Sequence, residues 1–247
     1  MLPEERRTKI LELLEKERGV KVSDLVRLFN VTGATIRRDL ETLEKEGLLK
    51  RTHGGAVLPH SFSFEPLYIT KKRHNLKEKM AIGKKAAELI EDGETVFIET
   101  GSTTFQIAKN IKNKHDLTVL TNSIEVAREL INARGVEVIL TGGVLRKETV
   151  ALIGPLAERV LREFRVDKAF LGISGIIPTK GMSTASIVEA QIKKLIIEMG
   201  KEIIGVADYS KFGKECFAFV APTKALHKII VDEKVPSQYI EELKREG

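Results

Sequence analysis

The chain is predicted to be a two-domain α/β protein: a small N-terminal winged helix-turn-helix followed by a larger α/β domain built on a mostly parallel sheet. Two observations carry this reading. Over residues 1–58, apolar residues recur at helical spacing in three runs, and a glycine-turned pair of extended pieces follows them. After Asp92 and Gly93 the rhythm changes to short apolar strands alternating with amphipathic helices, the pattern of a helix-covered sheet. A length of 247 residues accommodates both, since domains cluster near about 100–150 residues.

The first helix is expected over 3–18, with Ile10, Leu11, Leu13 and Leu14 on one side and Gly19 as its stop. A brief second helix, from about Ser23 to Phe29, carries Leu25, Val26, Leu28 and Phe29, and Asn30 and Val31 turn the chain. Thr32 caps a third helix that runs to about Glu46 and buries Ile36, Leu40 and Leu43; Gly47 ends it. Leu48 to Leu58 then forms a small hairpin around His53, Gly54 and Gly55. Residues 59–79 lose periodicity and gain lysine and arginine, which makes them a connector. Its Phe62, Phe64, Leu67 and Tyr68 are too apolar for a free linker, so part of it is expected to pack, and its tail merges into a helix ending near Ile90. Residues 80–247 form the second domain. Strands are expected at 95–99, 117–121, 136–140, 168–173, 202–207 and 228–231, with helices near 104–113, 124–134, 155–164, 185–199 and 236–245. No repeat of fixed period interrupts this order.

Composition narrows the function classes. A 42% hydrophobic and 31% charged chain suits a soluble globular protein with a real core. The net charge of +6 leans towards a polyanionic partner, although lysine-rich enzymes share such a balance. A single cysteine, Cys216, excludes an intramolecular disulfide and a multi-cysteine metal site and fits a reducing cytoplasm; its apolar neighbours make it a core residue. Glu4, Glu5, Arg6 and Arg7 stand where a signal peptide needs an apolar run, and no run reaches the roughly 18 apolar residues of a membrane helix. A cytoplasmic protein without a membrane partner is expected. The scattered histidines lack metal-ligand spacing, and no metal, cofactor or catalytic residue is assigned.

The third helix has the residues for reading double-stranded DNA. With Ile36, Leu40 and Leu43 inward, Thr32, Gly33, Thr35, Arg37 and Arg38 face outward near its N-terminal end, where such helices meet bases and phosphates. In the hairpin, Lys50, Arg51, Thr52 and His53 reach the backbone or minor groove, and Gly54 and Gly55 permit close approach. Bulk charge does not carry this assignment: residues 1–58 hold 12 Lys or Arg against 10 Asp or Glu. Distribution does, because the acids crowd the first helix while Arg37, Arg38, Lys50 and Arg51 gather on one side. The run Val31 to Leu43, with Thr35 to Leu40 its most specific part, resembles the recognition helix of the DeoR family of bacterial repressors. Arg51 with His53, Gly54, Gly55 and Ala56 resembles the family's wing.

In the second domain, polar and glycine-rich loops follow successive strands: Glu99 to Thr104 with Gly101, Ser102 and Thr103; Asn122 and Ser123; Gly142 and Gly143; Ser174 and Gly175; and Asp208 to Lys211. In a parallel sheet these loops share the C-terminal edge, where open α/β folds bind ligands. Backbone amides and hydroxyls of Gly101 to Thr104 suit a phosphate or carboxylate, Lys211 and Arg146 add positive charge, and Glu99, Glu189 and Asp208 can accept from sugar hydroxyls. Arg146 and Glu189 suit a solvated surface equally well. The loops resemble those of the DeoR C-terminal domain, which implies the fold shared by ribose-5-phosphate isomerase and coenzyme A transferases, and a phosphorylated sugar or related metabolite bound at Gly101 to Thr104 and near Lys211. Many relatives carry Asp before a small residue and Gly at this loop; here Glu99 takes its place.

The resulting expectation is a repressor of a carbohydrate operon. It would act as a homo-oligomer, dimer or tetramer, whose hold on operator DNA responds to that effector. The rival is a sugar-phosphate isomerase-like enzyme with an added DNA-binding head, using Glu99 with Asp208 or Glu189 for proton transfer. An architectural protein that binds DNA by charge alone would not need the loop-rich second domain.

Overall fold

The computed structural model describes residues 1–17, 19–57 and 66–246, and the chain divides into two compact units, Met1–His74 and Asn75–Gly247. In the first, α1 (Pro3–Glu17), α2 (Val22–Phe29) and α3 (Gly33–Lys45) enclose a core of Ile10, Leu14, Leu25, Ile36, Leu40 and Leu43, each side chain contributing roughly 1.5–3 kcal/mol by leaving water. Leu25 and Phe29, one turn apart, are buried, whereas Leu28 is 60% exposed because a two-turn helix offers the core one narrow stripe. Gly19, expected only to stop α1, opens β1 (Gly19–Lys21). With β2 (Lys50–Thr52) and β3 (Gly55–Val57) it makes an antiparallel sheet in the order β1-β3-β2. This pairing explains Gly55: a Cβ there would sit 1.9 Å from the Val20 carbonyl oxygen. Within the predicted connector, α4 (Tyr68–Arg73) is helical and Tyr68 is buried; Phe62 and Phe64 lie outside the described residues.

The second unit starts with α5 (Leu76–Ala87) and proceeds through β4 (Thr95–Ile98), α6 (Thr104–Asn110), β5 (Leu117–Thr121), α7 (Ile124–Leu130) and β6 (Val136–Leu140). A hairpin, β7 (Val144–Arg146) and β8 (Ala151–Ile153), precedes α8 (Pro155–Glu163) and β9 (Val166–Gly172). Then come β10 (Gly175–Ile177), β11 (Gly181–Thr184), α9 (Ile187–Met199), β12 (Gly200–Ala207), β13 (Ala218–Ala221), β14 (Lys228–Val231) and α10 (Ser237–Glu246). Six strands pair in parallel in the order β14-β12-β9-β4-β5-β6. Successive residues of β4 serve opposite faces. Phe97 joins the core under α8 and α9, while Val96 and Ile98 join Ile82 of α5, Ile107 of α6 and Val126 of α7. Both faces are covered.

The hairpin β7–β8 and the antiparallel sheet β10-β11-β13 were not foreseen in the sequence. Their strands are three or four residues long, too short for alternation to register. The chain runs outward from β4 through β5 to β6, then returns to the other side of β4 for β9, β12 and β14. The order therefore reverses between β4 and β9, and the C-terminal ends of these two strands flank a topological switch point, where open α/β sheets leave a crevice.

Candidate DNA interface and effector site

Thr32 caps α3: its hydroxyl accepts from the Thr35 amide at 3.2 Å and lies 2.9 Å from the Thr35 hydroxyl. This fixes the start of the helix and so the direction of the next turn. Arg37 and Arg38 are exposed. Gly33 leaves room for the Arg37 guanidinium, whose Nη1 would be 3.4 Å from a Cβ there. Arg51 donates to Glu44 through its amide (2.8 Å) and its Nε (2.6 Å), a pairing that lowers the Glu44 carboxyl and raises the guanidinium. Lys50, Thr52 and His53 are exposed beside it. Arg37 and Arg51 to Gly55 line one cleft, of about 940 Å³, between α2, α3 and the wing. A buried pair that no helical pattern indicated, Arg6 Nε to Asp39 Oδ2 at 2.6 Å, ties α3 to α1.

At the C-terminal edge of the sheet, the loop after β4 turns tightly: Phe105 donates to the Gly101 carbonyl, as does the Thr104 hydroxyl. The amides of Gly101, Ser102, Thr103 and Thr104 have no acceptor among the described residues. Asn122 holds this loop by accepting from the Thr100 amide at 2.9 Å, and its carbonyl accepts from Leu152 of β8. The Ser123 hydroxyl caps α7. Gly142 and Gly143 take positive φ, and a Cβ on Gly143 would meet the Ile153 carbonyl at 2.6 Å, so they carry the chain into the β7–β8 hairpin. Gly175 fits as closely against the Lys214 carbonyl.

Three buried ionic clusters surround this edge. Glu99 is fully engaged: Lys193 Nζ lies 2.5 Å from Oε1 and the Gly172 amide donates to Oε2 at 2.8 Å, so it is a brace between β4, β9 and α9. Glu189, for which a solvated surface position was an open alternative, is 6% exposed. It pairs with Arg146 of β7 at 2.9 Å and accepts from Thr184, whose hydroxyl also approaches Ser174. Arg146 is likewise half-buried rather than solvated. Asp208 is enclosed, with Asn75 and the Ser210 amide and hydroxyl donating to it, and with Lys79 and Lys211 ammonium groups at 3.9 and 4.0 Å. Burial pushes its carboxyl upward, but Lys211, Lys79 and these hydrogen bonds outweigh that and hold it well below the usual carboxylate range.

Lys79 and Lys193 escaped the sequence reading, yet each carries a signal. Lys79 falls on the stripe continued by Ile82 and Ala86, and Lys193 on the one holding Ala190 and Ile196. A lysine at an apolar helical period must find a buried partner.

A winged helix-turn-helix head followed by a parallel sheet with polar loops at its C-terminal edge has the architecture of a transcriptional regulator with a sensing domain. Comparison with known proteins agrees: the DeoR-like helix-turn-helix domain matches residues 6–62 and the DeoR C terminal sensor domain residues 74–233. The chain belongs to the DeoR family and is a DNA-binding transcriptional regulator. It is 37% identical to a putative aga operon transcriptional repressor of Escherichia coli O157:H7, over 98% of this chain and 91% of that protein. It is 37% identical to the regulator GlpR of Haloferax volcanii, over 100% and 96%, and 34% identical to the transcriptional repressor AccR of Agrobacterium fabrum, over 93% and 89%. Among solved structures it is similar to ribose 5-phosphate isomerase A of Methanocaldococcus jannaschii, with a TM-score of 0.41 and 19% identity over 56% of this chain and 55% of that one. No helix among the described residues is long and apolar enough to cross a membrane.

Proposed function

We propose that the protein is a cytoplasmic repressor of a carbohydrate operon, released from its operator by a phosphorylated sugar or related metabolite. Residues 1–58 form the DNA-binding head, 59–79 the connector and 80–247 the effector and oligomerisation domain. In the head, Arg37 and Arg38 meet base edges or phosphates from α3, while Lys50 to His53 add backbone contacts from the wing. Palindromic operators fit a symmetric dimer or tetramer of such heads.

The observation that carries the effector assignment is the run of unclaimed amides from Gly101 to Thr104 at the β4–β9 switch point. Unclaimed amides with the Ser102 and Thr103 hydroxyls match phosphate oxygens, and Lys211 supplies charge on the same sheet edge. The chemistry of the acids supports sensing without turnover. Both Glu99 oxygens are engaged, and a carboxyl held as low as that of Asp208 is a weak proton acceptor.

A thermal-shift screen of the full chain against sugar and polyol phosphates tests the reading, since a ligand of the folded state raises Tm by mass action. A hit should weaken operator binding, lose about tenfold or more in affinity with Ser102→Ala, where a charge-assisted hydrogen bond is worth roughly 1.5–3 kcal/mol, and emerge chemically unchanged. Turnover of the hit would move the assignment to an enzyme, and full affinity in the variant would remove the phosphate from this loop.

A further inference from the structure

The turn of the β7–β8 hairpin carries two features that its role as a connection does not require. The Thr149 hydroxyl is enclosed, in a residue 3% exposed, and has no hydrogen-bond partner among the described residues. Buried hydroxyls are nearly always paired, because leaving one dry forfeits its hydration. The next residue, Val150, has φ of 55°, a left-handed conformation that a β-branched side chain adopts only when its surroundings impose it. What imposes it is visible on both sides. The Thr149 carbonyl accepts from the Thr100 hydroxyl at 3.1 Å, at the head of the amide loop, and Ala151 bridges to Ser123 after β5. On the other strand of the hairpin, Arg146 reaches Glu189 on α9. The turn is thus strapped across the C-terminal ends of β4 and β5 and holds an unused donor and acceptor.

We propose that Thr149 is a specificity residue of the effector site: its hydroxyl hydrogen-bonds a hydroxyl of the sugar moiety while the Gly101–Thr104 loop holds the phosphate. This rests on the sugar-phosphate reading above and adds the element that reads the carbon skeleton. A strained, unpaired turn is the cost of presenting a dry hydroxyl, and a polyhydroxylated ligand supplies the missing partner. An aliphatic acid or a bare phosphate would not.

The test uses calorimetry on the full-length protein with the best sugar phosphate from a panel of aldose and ketose phosphates, and with orthophosphate as its competitor. Thr149→Val, nearly isosteric, should weaken the sugar phosphate at least tenfold and orthophosphate less than twofold, and should leave the ligand-free Tm equal or higher because an unpaired buried hydroxyl is gone. Thr149→Ser, which keeps the hydroxyl, should stay within threefold of the parent. Sugar-phosphate affinity unchanged in Thr149→Val overturns the proposal alone, leaving the Ser102 result to stand. So does a marked fall in Tm or a failure of that variant to fold, either of which makes the hydroxyl structural. An equal loss for both ligands, or a loss in Thr149→Ser as large as in Thr149→Val, also overturns it. A parent protein that binds no sugar phosphate, or whose ligand orthophosphate does not displace, overturns this proposal and the reading beneath it together.

Discussion

The two units place their charges in opposite ways. In the head, Arg37, Arg38 and Lys50 stand in solvent, and the one buried ion pair of the head among the described residues, Arg6–Asp39, joins two helices. In the sensor unit, Lys79, Lys193, Glu99, Glu189 and Asp208 are all buried around one sheet edge. The difference follows from the size of the partner. DNA is a large polyanion that brings its own charge to an open surface, where lost counterions supply the driving force. A small ligand must be enclosed, so its site needs polar groups inside the protein, and the charged ones are already paired to meet the cost of burial.

If this contrast holds, the largest stability effect belongs to a sensor residue far from any helix end. Lys193→Met takes from the buried Glu99 carboxylate the ammonium at 2.5 Å, and removing one partner of a buried pair costs about 3–5 kcal/mol. Denaturant unfolding should show the loss in the sensor transition, and Glu99→Gln added to it should recover part; a neutral Lys193→Met would show the pair to be solvated in solution. The head should behave in reverse. Arg37→Ala with Arg38→Ala should reduce operator affinity a hundredfold or more, at about 1–3 kcal/mol per base-reading arginine, and flatten the salt dependence. Stability should change by less than about 0.5 kcal/mol, as for other surface substitutions. Operator titrations at several salt concentrations, set beside melting curves, read both.

Acid sharpens the comparison further. The Asp208 carboxyl is depressed in the folded protein, so it contributes stability that is present above its unfolded value, about 3.9, and is lost as pH falls from there towards the folded value. Asp208→Asn should therefore be most destabilising at neutral pH, with the gap in Tm to the parent narrowing below about pH 4. A gap constant from pH 7 to 3 would show that the carboxyl is not held low. The smallest effect is expected at the rim of the head. Glu44→Gln releases an exposed Arg51 and should leave Tm unchanged while modestly weakening operator binding, measurable as a faster off-rate, because Arg51 loses its orientation rather than its charge.

The head helices were legible because a helical stripe such as Ile36, Leu40, Leu43 recurs at a fixed spacing, and the six parallel strands because contiguous apolar runs, such as Val119 and Leu120 of β5 or Ile203 and Ile204 of β12, alternate with helical stretches. The short hairpin over the proposed effector site was not, since Val144–Arg146 and Ala151–Ile153 are too brief for any period to show. Gly55 was read as room for DNA, and the structure uses it as room for Val20.

By itself the sequence determined where apolar faces lie, which loops carry glycine and hydroxyl groups, and that the exposed side of α3 bears two arginines, all properties of residues near one another in the chain. Only the tertiary structure decided how distant charges pair. Glu99 finds Lys193 and Asp208 finds Lys79 because strand order and helix packing bring them together, and a buried charge selects its partner by three-dimensional proximity, which no local pattern records.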